Sequence, residues 1–257
     1  MVRPSSQNHN TYHMRILFTL LLVSTLSISG IHAQGWGWGK TVRGNKEIVD
    51  QQRDLKDFDG IKACCSLKVE LTQGSQFSVL VKAESNLQEY IETKVLGNTL
   101  EIGFKDRVSL KPTEDIEIYI TMPELTEIDA SSSADIFTKG TFRGEKIKLE
   151  SSSGSYVKAM FTGGSVYVDA SSGGDVVIKG KADYVKAEAS SGARVNANDV
   201  TAKEGKAEVS SGANIRLNVT ETLKADASSG GRVEYSGSPA NVDSEASSGG
   251  SIRKNEA

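Results

Sequence analysis

Hydrophobic residues fall at every second position in short runs along most of the chain. Ile61, Ala63, Cys65, Leu67, Val69 and Leu71 alternate with polar neighbours; Phe77, Val79 and Val81 do so after Thr72-Gln73-Gly74-Ser75. Leu100, Ile102 and Phe104 make a third run, and Ile116, Ile118 and Ile120 a fourth. A period of two predicts half-buried β-strands. The first two runs, parted by a glycine-containing turn, predict a hairpin, and Gly97-Asn98 predicts a second tight turn. Residues 87–93 fit neither period. No stretch keeps apolar residues at helical spacing for three turns.

From residue 127 the alternation becomes a repeat. Seven copies open on an acid, a small or β-branched residue and two serines. The acids are Asp129, Glu150, Asp169, Glu188, Glu208, Asp226 and Glu245, and the first serines are Ser131, Ser152, Ser171, Ser190, Ser210, Ser228 and Ser247. Successive first serines lie 21, 19, 19, 20, 18 and 19 residues apart. Five residues after each comes Ile136, Val157, Val176, Val195, Ile215, Val233 or Ile252. A fixed period near 20 marks a solenoid. It is too short for helical repeats of 33–34 residues and lacks a leucine-rich skeleton. The expected fold is all-β: a single-stranded parallel β-helix of about seven regular turns, after an irregular stranded section. Coils stacked at ~4.8 Å give a rod section of roughly 34 Å, with right-handed crossovers.

Alternation sorts the faces. Val166, Val168 and Ala170, then Val185, Ala187 and Ala189, point inward, so a thin interior needs small residues. The seven acids form an outward stripe. Two residues earlier a largely basic file carries Lys148, Lys186, Lys206 and Lys224, which offsets repulsion between stacked carboxylates. The acid stripe is thus a charge-compensated solvated face or, in the sharper readings, a divalent-cation site or a ligand-binding strip. The serines form a structural ladder that turns a corner and hydrogen-bonds along the rod, or a hydroxyl array facing a polysaccharide.

Composition narrows the function. Aromatics make up only 6% of the 257 residues, and the formal charge is −3. That near balance lacks the basic excess of a nucleic-acid binder. The only histidines are His9, His13 and His32, within or ahead of a leader. Met14-Arg15, the apolar run from Ile16 to Val23 and the Ile31-His32-Ala33 site read as a secretory signal peptide. The run falls short of the ~20 residues that span a bilayer. Removing residues 1–33 leaves no histidine, no transmembrane span and a charge near −5. A Ser-His-Asp triad or a His-ligated zinc is then excluded. Residues 34–44, with Trp36 and Trp38 between glycines, form a linker; residues 45–125 form the N-terminal β section and 126–257 the repeats, one continuous domain.

Other signals are weaker. Cys64 and Cys65 are adjacent, a spacing that opposes usual disulfide geometry; alternation predicts Cys65 inward and Cys64 outward as free thiols. Ser172-Gly173-Gly174-Asp175 faintly resembles calcium-binding β-roll repeats, but Arg194 and Arg232 occupy the Asp position in other copies. No cofactor, phosphate-loop or zinc spacing is present. The last turn, residues 247–252, presents open strand edges, a route to end-to-end or side-by-side self-association.

Phe58-Asp59-Gly60-Ile61, Val69-Glu70-Leu71-Thr72-Gln73-Gly74, Gly97-Asn98-Thr99-Leu100 and Ile120-Thr121-Met122-Pro123-Glu124-Leu125, feeding into the Ser/Gly repeats, resemble the bacterial "putative auto-transporter adhesin, head GIN domain" family over residues 45–255. The resemblance implies a β-helical envelope or secreted protein and supplies no catalytic residues. The leading expectation is an exported, non-enzymatic interaction module of periplasm, cell surface or medium, adhesin-like, whose partner is a glycan or an envelope protein. The alternatives are a polysaccharide-acting β-helix enzyme that uses carboxylates, and a structural spacer.

Overall fold

The computed structural model describes residues 39–255. The leader, the three histidines and both tryptophans lie outside the described residues. Nineteen strands and one short 3-10 turn at Gln88–Tyr90 follow one another; no α-helix occurs among the described residues.

The N-terminal strands are β1 Lys40–Arg43, β2 Ile48–Arg53, β3 Gly60–Ala63, β4 Lys68–Gln73, β5 Ser78–Glu84, β6 Ile91–Leu96, β7 Thr99–Phe104, β8 Val108–Lys111 and β9 Glu117–Met122. The coils follow as β10 Glu127–Ala130, β11 Asp135–Lys139, β12 Phe142–Ser151, β13 Tyr156–Ala170, β14 Asp175–Ala189, β15 Arg194–Val209, β16 Asn214–Ala227, β17 Arg232–Ser236, β18 Asn241–Ala246 and β19 Ser251–Lys254. From β10 onward every pairing between these coil strands is parallel and joins one coil to the next. The chain is a β-solenoid of about seven turns with irregular strands at its N-terminal end.

Each coil turns at its serines. The second serine and the residue after it both sit in the left-handed region, as in Ser172 (φ 48°) and Gly173 (φ 74°). The amide of Gly174 closes the corner on the carbonyl of Ser171 at 2.8 Å. Two successive positive φ values and an i to i+3 bond define a type I′ turn. Glycine follows the second serine in six coils because it adopts this conformation without a Cβ penalty; Ser133 (φ 61°) fills the place in the first. Corners are stapled along the rod by main chain: the Ser190 amide donates to the Ala170 carbonyl at 3.0 Å, and the Gly173 amide to the Ser191 carbonyl at 3.1 Å. The cohesion between serine pairs is therefore carried by peptide groups.

The core is one apolar column. Val166, Val168, Ala170, Val185, Ala187 and Ala189 are all buried, and Phe142 lies in register with Phe161, both buried. Gly180 comes next in that file; a Cβ there meets the Phe161 carbonyl oxygen at 1.8 Å. Ser151 and Ser155 replace interior small residues in one coil. Their hydroxyls lie 2.8 Å apart, and Ser155 Oγ also donates to the Ala130 carbonyl and accepts from the Ser152 amide. These bonds satisfy buried polar atoms that otherwise destabilise.

Three expectations change at the N-terminal end. The run from Ile61 to Leu71 is two strands, because a corner at residues 64–67 breaks it while keeping the inward parity of Ala63 and Leu67. No hairpin joins β4 to β5: β9 lies between them, parallel to β4 and antiparallel to β5. Third, Cys64 and Cys65 are joined as a disulfide and are both half-buried. The reason lies in register. β3 pairs with β10 so that Ala63 faces Ala130, and the Ser66 amide donates to the Ser132 carbonyl. Cys64-Cys65 therefore occupies the Ser-Ser corner of a degenerate further coil, with Cys65 (φ 71°) and Ser66 (φ 57°) in the left-handed region. A turn replaces the extended strand on which the inward and outward assignment rested. The Gly97-Asn98 turn does join β6 to β7 as an antiparallel hairpin. Glu84, buried on β5, accepts from the amides of Lys46 and Thr113 and the Thr113 hydroxyl, which ties the loops before β2 and before β9 to β5.

Candidate functional site: the acid and serine groove

Parallel register sets the seven acids in a single file. Asp129 faces Glu150, then Asp169, Glu188, Glu208, Asp226 and Glu245 in unbroken order on β10, β12, β13, β14, β15, β16 and β18. Each stands two residues before a first serine, so carboxylate and hydroxyl project outward on either side of one inward residue. Over the C-terminal coils this spacing opens a groove of about 600 Å³. Asp169, Glu188, Glu208, Asp226 and Glu245 form one wall and Ser190, Ser210, Ser228 and Ser247 the other, above a floor at Ala189, Val209 and Ala227. Asp129 and Glu150 stay outside it, as do Ser131, Ser152 and Ser171. Asp129 is instead held by Lys62 at 2.7 Å and Glu150 by Lys148 at 2.5 Å.

The second file grades the charge. Lys148, Tyr167, Lys186, Lys206, Lys224 and Asp243 lie in register, two residues before the acids. Lys186 pairs with Glu188, and Lys206 with Glu208 at 2.5 Å. The hydrogen bond from Lys206 holds the Glu208 carboxyl below the ordinary glutamate value, against a smaller opposing effect of burial. Asp169 has Tyr167 where its neighbours have lysine. Desolvation, then the charges of Glu188 and Glu150, push its carboxyl above the usual aspartate value, with Lys148 and Lys186 opposing. Among the described residues, Asp169, Asp226 and Glu245 have no cation within 4.0 Å: Tyr167 and Asp243 stand where Asp169 and Glu245 would have a lysine, and Lys224 turns toward Asp243 at 3.9 Å.

Tyr167 marks where the groove changes character. It lines a smaller cavity of about 200 Å³ with Asp169, Lys186 and Glu188, and its ring lies edge-on to Tyr184 at 6.0 Å. Sequence reading placed no tyrosine in the site; the signal was the break in the lysine file at residue 167. Such a wall can accept hydrogen bonds from hydroxyl or amine donors through carboxylates, and exchange them through serine hydroxyls. Among the described residues no three His, Cys, Asp or Glu side chains are grouped to hold a metal ion, and no helix is long and apolar enough to cross a membrane.

A family model described as "Putative auto-transporter adhesin, head GIN domain" matches residues 57–239. Solved structures share the fold. One is described as a putative adhesin from Bacteroides fragilis NCTC 9343, 20% identical, with TM-score 0.78, covering 83% of this chain and 100% of that one. A putative lipid binding protein from Parabacteroides distasonis ATCC 8503 is 20% identical, with TM-score 0.70 over 84% and 100%. A putative adhesin from Parabacteroides merdae ATCC 43184 is 18% identical, with TM-score 0.70 over 85% and 100%. No curated protein matches the sequence.

Proposed function

Since this chain belongs to the family described as "Putative auto-transporter adhesin, head GIN domain", we propose that it is an exported, non-enzymatic interaction module that grips an extended envelope glycan along its acid and serine groove. The observation that carries this reading is the groove's repeat: a carboxylate and a hydroxyl recur at each ~4.8 Å step, across the coils that bear Asp169 to Glu245. A linear polymer meets the same chemistry at every step, so many weak hydrogen bonds add along its length. Carboxylates accept from sugar hydroxyls, and the unpaired Asp169, Asp226 and Glu245 have acceptor capacity to spare. The Tyr167 ring beside Asp169 offers an apolar face for a sugar's C–H side. Export is supported by the Met14-to-Ala33 leader signal.

The same polarity disfavours a lipid. The walls are acidic and hydroxylated, so they repel anionic headgroups and offer acyl chains little apolar cover. The test is a glycan array with the leaderless chain, followed by calorimetry with any retained glycan and an Asp169→Asn, Glu188→Gln, Glu208→Gln, Asp226→Asn variant. Binding lost in the variant supports the reading; no retained envelope glycan, or binding untouched by the variant, removes it. Release of reducing or unsaturated ends from the bound glycan favours the carboxylate enzyme instead.

A further inference from the structure

Among the described residues, nothing covers the far side of the final coil. β18 bonds to β16 and β19 to β17, and neither strand has a second partner among the described residues. Every residue of β18 is exposed, although its in-register neighbours Leu223, Ala225 and Ala227 on β16 are buried. Val242 stands 44% exposed over the core column, and Ile252 on β19 is only half-buried. Unpaired strand edges beside uncovered apolar side chains form a template for another chain.

The charges choose the partner. β18 carries Asp243 and Glu245 outward and β19 carries Arg253 outward, while Lys254 at the strand end shares the parity of Ile252 and Tyr235. The two strands flank the corner closed by the Gly250 amide on the Ser247 carbonyl. A two-fold axis through that corner, perpendicular to the rod, lays each strand over the position of the other with its direction reversed. Keeping inward residues against inward residues then sets Ala246 against Gly250, Ser244 against Ile252 and Asp243 against Arg253. The operation does this twice, as a closed isologous contact must.

We propose that a second copy of this chain covers the open end in this arrangement, with β18 of each copy antiparallel to β19 of the other and Asp243 paired with Arg253 across both seams. Competing registers fail on charge. β18 laid on a second β18 sets Asp243 and Glu245 against each other, and β19 on β19 with inward residues matched sets Arg253 against Arg253; like charges directly opposite are unfavourable. Head-to-tail stacking fails on geometry, because β2 and β6 beyond the first coil run antiparallel to their neighbours and do not continue the parallel coil. The dimer brings two grooves to one joint, which doubles the sites on a polymeric ligand, yet its formation needs no ligand.

Sedimentation equilibrium of the leaderless chain from micromolar to millimolar concentration tests the proposal. A monomer–dimer equilibrium is expected. Asp243→Arg and Arg253→Asp are each expected to weaken it about tenfold, and the double variant to restore it to within about threefold. The Asp243 side chain is 82% exposed, so the fold tolerates reversal, checked by an unchanged melt. Raising sodium chloride from 0.1 to 1 M, which needs no variant, weakens the wild-type dimer at least threefold by screening. A monomer at every concentration, a dimer indifferent to reversal or salt, or a double variant that stays weakened overturns the proposal. None of these results bears on glycan binding, which the array reads separately.

Discussion

Replacing Gly192 with alanine isolates the backbone contribution of a solenoid corner. Gly192 is the second left-handed residue of its turn (φ 74°), and a Cβ built there has nothing within 4 Å. The substitution therefore creates no clash, and its effect is conformational. An L-residue in the left-handed region costs about 1–2 kcal/mol, and the gain from a less flexible unfolded chain offsets roughly 0.4–1 of that. The net loss is about 1 kcal/mol, which lowers Tm by about 2–4 °C in a domain of this size. Ser133 supplies the reverse experiment. It holds the equivalent place with φ 61°, so Ser133→Gly is expected to raise Tm by up to the same amount. Gly174→Ala is the steric contrast. Its Cβ would sit 2.2 Å from the Ser151 carbonyl oxygen, so it should cost clearly more than Gly192→Ala, although alanine fits that corner position at Ala193 and Ala213. The assay is calorimetric melting of the leaderless variants, with urea titration to confirm an unchanged m-value. A neutral Gly192→Ala, or a destabilising Ser133→Gly, refutes the assignment of a strained type I′ corner to every coil.

Ser155→Ala keeps a side chain that the corner accepts elsewhere but removes bonds to Ala130 and Ser152; urea unfolding should show a loss of about 1–2 kcal/mol. The acid file has a pH signature of mixed sign. Asp169 titrates above its unfolded value, so its favourable contribution is complete below the ordinary aspartate value and is lost as pH rises through the raised one. Asp169→Asn should therefore raise Tm at pH 7 and leave it unchanged at pH 3. Glu208 titrates below its unfolded value, so its contribution is present above the ordinary glutamate value and is lost as pH falls through the lowered one. Glu208→Gln should lower Tm at pH 7 and have no effect at pH 2, read in the same melts. Intact-mass analysis should find no alkylation of Cys64 and Cys65 before reduction and two additions after it. The double serine variant should stay folded, because Ser-Ser fills the same corner in the later coils.

The repeat period, the strand character and the parity of inward residues were written in the sequence, because a parallel coil stacks equivalent residues on one another. A period near 20 with an acid two residues before each Ser-Ser therefore fixes which side chains share a file. The composition followed from the same physics, since a thin coil favours small and β-branched residues inside, with Phe142, Phe161 and a few leucines as the larger fillers. Local pattern did not reveal where a strand bends. The corner at Cys64-Cys65 preserves alternation from Ile61 to Leu71 and so looked like one strand; only its pairing with β10 exposes it as a degenerate coil. Nor could spacing show that β9 separates β4 from β5, because sheet order depends on contacts far apart in the chain. The groove belongs to the same class. Seven acids and seven serines align in sequence, but the groove gathers five acids and four serines, because Lys62, Lys148 and Tyr167 change its surroundings at one end. That difference arises between neighbouring coils, where side chains about 20 residues apart first meet.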